Sequence, residues 1–135
     1  MDSARALVQV YYFRYRAGTQ TSFPDVCIWA VEPESAAILS GGSVGTHLQM
    51  GIGDGLIPDI LDQGIYDDIC VVSDEEAINE ARALAREEGL LCGVSGGTNV
   101  VAARQLARQL GSGKTVVTLL PDTGERYFST ELFED

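Results

Sequence analysis

Apolar positions follow two rhythms along this chain. Short unbroken runs, Val26 to Val31 (VCIWAV) and Ile69 to Val72, have the pattern of buried strands, and Thr115 to Leu120 (TVVTLL) reads as a further strong strand broken by Pro121. Between them, apolar residues recur every three or four positions, the helical period. The first such stretch opens at Ser73 with SDEE, a capping box in which Ser73 and Glu76 satisfy each other's backbone donors. Ala77, Ile78, Ala81, Leu84 and Ala85 line its inner face, and the helix runs to about Glu88 before Gly89 stops it. The second is predicted over Thr98 to Leu110, with Val100, Ala103, Ala107 and Leu110 aligned. A short strand, Leu90 to Cys92, is predicted just ahead of GVSGGT (Gly93 to Thr98). Strand and helix alternate, which indicates an α/β fold built on a parallel sheet.

Two segments do not follow these rhythms. The first 22 residues contain YYFRYR, which fits a strand with alternating arginines or one side of a helix, and helix is the expectation there. Ser40 to Pro58 (SGGSVGTHLQMGIGDGLIP) holds six glycines in nineteen positions, so a long loop is expected, and long loops in compact domains usually carry function. The chain closes on a polar turn and a brief amphipathic tail, ERYFSTELFED.

Composition narrows the class. With 135 residues, 45% of them hydrophobic and 21% charged, the chain has material for one folded domain. A formal net charge of −11 would repel a phosphate backbone and excludes nucleic acid as a main partner. No apolar run approaches the roughly 20 residues that cross a bilayer, so a soluble, cytoplasmic protein is expected. Cys27, Cys70 and Cys92 are far apart, each in an apolar run, which suits buried free thiols; with no CxxC pair and one histidine, no metal site is expected.

Candidate chemistry gathers in three segments that would lie beyond the carboxyl ends of the strands, where open parallel sheets bind ligands: the glycine-rich loop, GVSGGT and PDTGERY. In GVSGGT, Ser95 would present its hydroxyl near the positive end of a helix dipole; the simpler reading makes Ser95 an N-cap and the glycines a tight turn. PDTGERY is equally consistent with a local turn formed by Asp122 and Thr123. His47 has no partner at an informative spacing and reads as structural or solvent-facing, while the pairs Asp67/Asp68 and Glu87/Glu88 read as solvated element ends.

Taken together, IWAVEP (Ile28 to Pro33), the loop Ser40 to Pro58, SDEEAINEARALAREEGLLCGVSGGTNV (Ser73 to Val100) and GKTVVTLLPDTGERYFSTELF (Gly113 to Phe133) closely resemble, in order and spacing, consecutive segments of cysteine synthases. The resemblance spans Pro24 to Phe133. It implies the tryptophan synthase β-like class of fold-type II pyridoxal-phosphate enzymes, with residues 24–135 forming the C-terminal part of a three-layer parallel-sheet domain and 1–23 a divergent segment. The implied reaction is β-replacement, O-acetylserine plus sulfide to cysteine, a transferase step in amino-acid biosynthesis. A cystathionine β-synthase-like member of the same superfamily is the alternative.

The resemblance also assigns roles. Ser95 matches the serine whose hydroxyl bonds the pyridine nitrogen, Gly51, Ile52 and Gly53 match the loop on the substrate side, and Pro121 and Asp122 would lie beside the cofactor ring. No catalytic residue is carried over: the chain's one lysine, Lys114 in GSGKTVV, matches a surface lysine of the family, not the Schiff-base lysine. The Thr- and Gly-rich phosphate loop that precedes the first strand in the family has no counterpart in residues 1–24. Met50, Asp54 and Gly96 depart from the usual glutamine, alanine and serine. The chain is therefore expected to be an inactive C-terminal portion, poorly soluble or self-associating, and to act as a homodimer or by pairing with a homologue or an N-terminal half. An unrelated phosphate-binding α/β domain using GVSGGT is the third reading.

Overall fold

The computed structural model describes residues 5–9, by backbone alone, together with 24–59 and 61–133. Four parallel strands form one sheet in the order β3-β2-β1-β4: β1 is Arg5–Gln9, β2 Cys27–Pro33, β3 Asp68–Val72 and β4 Thr115–Thr118. The central pair is registered Leu7 to Ile28, and β1 meets β4 with Leu7 opposite Val117. β2 is covered almost throughout, as a strand flanked on both sides must be.

The start of the chain corrects an expectation. Arg5–Gln9 is a strand where helix was expected over the first 22 residues, because pairing with β2 on one side and β4 on the other outweighs a local preference that periodicity left open. The YYFRYR run lies outside the described residues.

Helix α1, Asp74–Ala83, begins with the predicted capping box: Glu76 N–H donates to Ser73 Oγ at 3.3 Å, and Ser73 N–H donates to Glu76 Oε2 at 3.0 Å. The carboxylate of Glu76 is held below its usual range by the hydrogen bond it accepts from the Ser73 hydroxyl at 2.7 Å and then by the one from Ser73 N–H. A π-helical turn, Leu84–Glu88, widens the end of the helix, and Gly89 closes it with φ +69°. Ala77, Ala81 and Leu84 are buried as the period requires, with Ile78 partly so.

Helix α2, Val94–Leu110, starts four residues before the predicted position, and its cap is Gly93. The glycines of GVSGG read locally as a turn, yet they form the first turn of the helix. Gly97 explains this: a Cβ there would sit 2.0 Å from the Ala77 carbonyl oxygen and 2.9 Å from Ala81 N, so only glycine lets the two helices cross this closely. α2 packs across the sheet and α1 packs on α2. Leu106, Ala102, Val31, Val72 and Cys70 meet in the core between them; burial of a side chain such as Leu106 contributes about 1.5–3 kcal/mol.

Two further expectations change. Leu90 to Cys92 is not a strand; only Cys92 forms a bridge, antiparallel to Thr123, and Leu90 and Leu91 are exposed. TVVTLL is strand only as far as Thr118 and lies at the sheet edge, with Val117 51% and Leu119 48% exposed. All three cysteines are free thiols. Burial pushes the Cys70 thiol up to about 11, consistent with an inert buried sulfur that contacts Gln105 Oε1. Among the described residues no cluster suited to a metal ion occurs, and no helix is long and apolar enough to cross a membrane.

Candidate functional site

The three expected segments do converge. The chain leaves β2 into the glycine-rich loop, leaves β4 into PDTGERY, and α2 begins between them. Gly93 N–H donates to the Asp122 carbonyl at 3.4 Å, and Gly124 N–H donates to the Leu91 carbonyl at 3.1 Å. These bonds and the Cys92–Thr123 bridge fix Pro121 and Asp122 against the start of α2. Gly93 makes the approach possible, since a Cβ there would lie 2.3 Å from Asp122 Oδ1 and 2.5 Å from the Tyr127 ring.

Ser95 is the second residue of α2, inside the first turn, so the simpler reading of it as N-cap does not hold. It is 4% exposed, and among the described residues its hydroxyl makes no hydrogen bond. A hydroxyl with an unused proton, on a largely buried residue at a helix start, is free to donate to a ligand acceptor placed there. Asn99, one turn on, donates through Nδ2 to the Leu119 carbonyl at 2.9 Å, while its Oδ1 is buried without a partner among the described residues.

Asp122 Oδ2 accepts a hydrogen bond from the Tyr127 hydroxyl, and Asp122 Oδ1 is buried without a partner among the described residues. Burial, then the hydrogen bond to Asp122 and its charge, push the Tyr127 phenol up to about 12, so it remains a donor at every ordinary pH. The 3₁₀ turn Gly124–Tyr127 that carries it belongs to the amphipathic tail. Arg82 of α1 donates from Nε to the Leu132 carbonyl at 2.9 Å and from its guanidinium to the Glu131 carbonyl, tying that tail down.

On the other wall, Gly51 and Gly53 have φ +87° and +70°, a left-handed backbone that favours glycine. Gly51 has nothing within 4 Å of a hypothetical Cβ, whereas at Gly53 the same atom would meet the Pro33 ring at 2.8 Å and His47 Nε2 at 3.0 Å. Ile52 turns into the hydrophobic core, so at that position the loop can offer a ligand only its backbone. His47 contacts the Gly53 carbonyl through Nε2 at 3.3 Å, a structural contact as the sequence suggested.

Two buried polar residues of this region were not visible beforehand. Gln49 donates from Nε2 to the Val72 carbonyl at 2.9 Å and to Asp74 Oδ1 at 3.0 Å, and Thr98 Oγ1 lies 2.8 Å from its Oε1. Glu32, at the end of β2, accepts from Leu39 N at 2.8 Å, from Ser40 N at 3.0 Å and from the Ser40 hydroxyl. The partners of both come from further along the chain. Between Leu48, Met50, Val94, Tyr127 and Leu132 a cavity of about 390 Å³ opens beside this assembly.

Lys114 is not part of it. It follows the C-terminal end of α2, separated from Ser95 by nearly the whole helix, about 23 Å at 1.5 Å per residue.

Comparison with known proteins fits this arrangement. Residues 12–122 match the family described as pyridoxal-phosphate dependent enzyme. Cysteine synthases of Staphylococcus aureus strains Mu50 and N315 are each 49% identical over 111 residues, 82% of this chain but 36% of the relative. The chain thus spans little more than a third of the curated relatives it matches. Among solved structures, O-ureido-L-serine synthase superposes with TM-score 0.91 at 32% identity, covering 96% of this chain and 43% of that one. O-acetylserine sulfhydrylase isoform 3 from Entamoeba histolytica gives 0.91 at 32%, covering 98% and 42%. The O-acetylserine dependent cystathionine beta-synthase from Helicobacter pylori gives 0.87 at 34%, covering 98% and 44%.

Proposed function

Since the chain belongs to the pyridoxal-phosphate dependent enzyme family and shares the fold-type II architecture of its solved relatives, we propose that it forms the ring-nitrogen side and part of the substrate loop of a cysteine synthase-type site. The reaction served is β-replacement on an activated serine such as O-acetylserine, with sulfide as nucleophile and cysteine as product. The observation that carries this reading is the Ser95 hydroxyl at the start of α2, on a residue only 4% exposed and with no hydrogen-bond partner among the described residues. That donor fits the nitrogen of a pyridine ring.

Bound there, pyridoxal phosphate supplies an electron sink for bonds at the amino-acid carbon next to it. Ser95 donates a hydrogen bond to the ring nitrogen and, being neutral, leaves the ring less electron-withdrawing than a carboxylate partner would. Pro121 and Asp122 flank the ring, with Tyr127 fixing the Asp122 carboxylate. Gly51, Ile52 and Gly53 bring bare backbone to the substrate, with the Ile52 side chain anchored in the core.

The chain does not complete the reaction by itself. Its one lysine lies at the far end of α2, so no lysine of its own reaches the ring as anchor or proton carrier. With pyridoxal phosphate, O-acetylserine and sulfide, the chain should form no cysteine above a protein-free control. Adding the polypeptide for the unmatched part of the Staphylococcus aureus cysteine synthase should restore formation. Cysteine produced by the chain alone would contradict the proposal, as would failure of the added polypeptide to bind it. The exposed Val117, Leu119, Leu90 and Leu91 favour such pairing, because one edge of β4 has no strand beside it among the described residues.

A further inference from the structure

Gln49 is fully buried between two exposed neighbours, Leu48 and Met50, and it uses both ends of its amide. The two acceptors facing its nitrogen, Val72 O and Asp74 Oδ1, leave one possible orientation, with the oxygen toward Thr98. The Thr98 hydroxyl lies 2.8 Å from Gln49 Oε1 and 3.0 Å from the Val94 carbonyl; its single proton serves one at a time, and the Gln49 contact is the shorter. The preceding residue is clamped too, since Leu48 N–H donates to Asp74 Oδ2 at 2.8 Å. The end of β3, the first turn of α1, the glycine-rich loop and the start of α2 therefore meet at one side chain.

Both neighbours of this junction belong to the proposed site. Gly51 and Gly53 follow Gln49 in the loop, and Ser95 precedes Thr98 by three residues, on the same side of α2. We infer that Gln49 is a positioning residue that registers the substrate loop against the helix bearing Ser95, so that the substrate side and the ring-nitrogen side are held as one unit. This rests on the reading of the site given above. No other side chain of similar size meets the requirement. Leucine takes the shared donor from the Val72 carbonyl and Asp74 Oδ1 and lets the Thr98 hydroxyl turn to the Val94 carbonyl, so the loop is no longer tied to α2; glutamate sets a second carboxylate against Asp74, and asparagine is one methylene too short for both walls.

The test uses the full chain as wild type, Gln49→Leu, Thr98→Val, Thr98→Ser and the double variant Gln49→Leu/Thr98→Val. Amide exchange is read at Gly51, Gly53 and Ser95, alongside titration with pyridoxine 5′-phosphate, whose alcohol cannot condense with an amine. Gln49→Leu and Thr98→Val should each speed exchange at Gly51 and Gly53 and weaken the ligand by about tenfold, the scale of one lost buried hydrogen bond. The double variant should add little to either, and Thr98→Ser should behave as wild type. A Leu110→Ala control should lower thermal stability without changing the loop. Additive effects, or loop exchange no faster than in that control, would overturn the inference even with ligand contact intact. Absence of ligand contact in the wild type, with the exchange coupling present, would instead overturn the reading of the site on which the inference rests.

Discussion

Replacing Gly97 by alanine is expected to destabilise this chain more than any other single-methyl addition. The added carbon would start 2.0 Å from the Ala77 carbonyl oxygen and 3.0 Å from the Ala81 methyl, so relief requires α1 and α2 to move apart. Overpacking usually costs about 1–3 kcal/mol, and a clash against backbone lies at or beyond the upper end because no rotamer change relieves it. The thermal midpoint should fall by roughly 10 °C or more for a domain of this size. Gly96→Ala is the internal comparison. Its Cβ would meet Cys92 Cβ and Sγ at 2.9 Å, side-chain atoms with some freedom to shift, and its cost should be clearly smaller. Equal midpoints for the two variants in a melting experiment would refute the close helix crossing.

Glu32→Ala should be nearly as severe, for an electrostatic reason. The Glu32 carboxylate is buried at the end of β2 and collects two backbone N–H groups and a hydroxyl from Leu39 and Ser40, so it pins the turn that leads into the glycine-rich loop. Removing it strands those donors, and a buried donor left unpaired costs about 1–3 kcal/mol. Glu32→Gln restores the shape but turns a donor toward a donor at one of the two amides, so it should recover only part of the loss. Urea unfolding of the three proteins gives the order directly, and a wild-type midpoint for Glu32→Ala would show that the carboxylate does not hold the turn.

How much of this could be read from residues alone follows from the range of each interaction. SDEE announced the start of α1 because a capping box is contained within four residues, and Gly89 announced its end for the same reason. β2 and β3 were legible as apolar runs. β1 was not, since Arg5–Gln9 becomes a strand through partners that arrive more than twenty and a hundred residues later, at Cys27 and Thr115. The start of α2 was misplaced because Gly96 and Gly97 have turn propensity locally and a packing purpose globally. The edge position of β4 was hidden by TVVTLL, whose composition suits a covered strand.

For the site, the motif-bearing residues Ser95, Asp122, Gly51 and Gly53 were nameable from their resemblance to cysteine synthases. The residues that assemble them were not. Gln49, Asn99 and Glu32 carry no local signature; each is buried because its polar atoms find partners between seven and about fifty positions away. Tyr127 and Arg82 are the same case, one steadying Asp122 and the other the tail.

The most direct test of the central claim is whether a pyridine ring bonds to Ser95 on this chain. Amide and side-chain resonances would be followed while pyridoxine 5′-phosphate is added to the wild type and to Ser95→Ala, with thermal melts to show that both are folded. The account predicts weak binding with shifts confined to the start of α2, Asp122 and Gly51 to Gly53, and their loss in Ser95→Ala. Shifts spread over the surface, or unchanged binding to a folded Ser95→Ala, would contradict it.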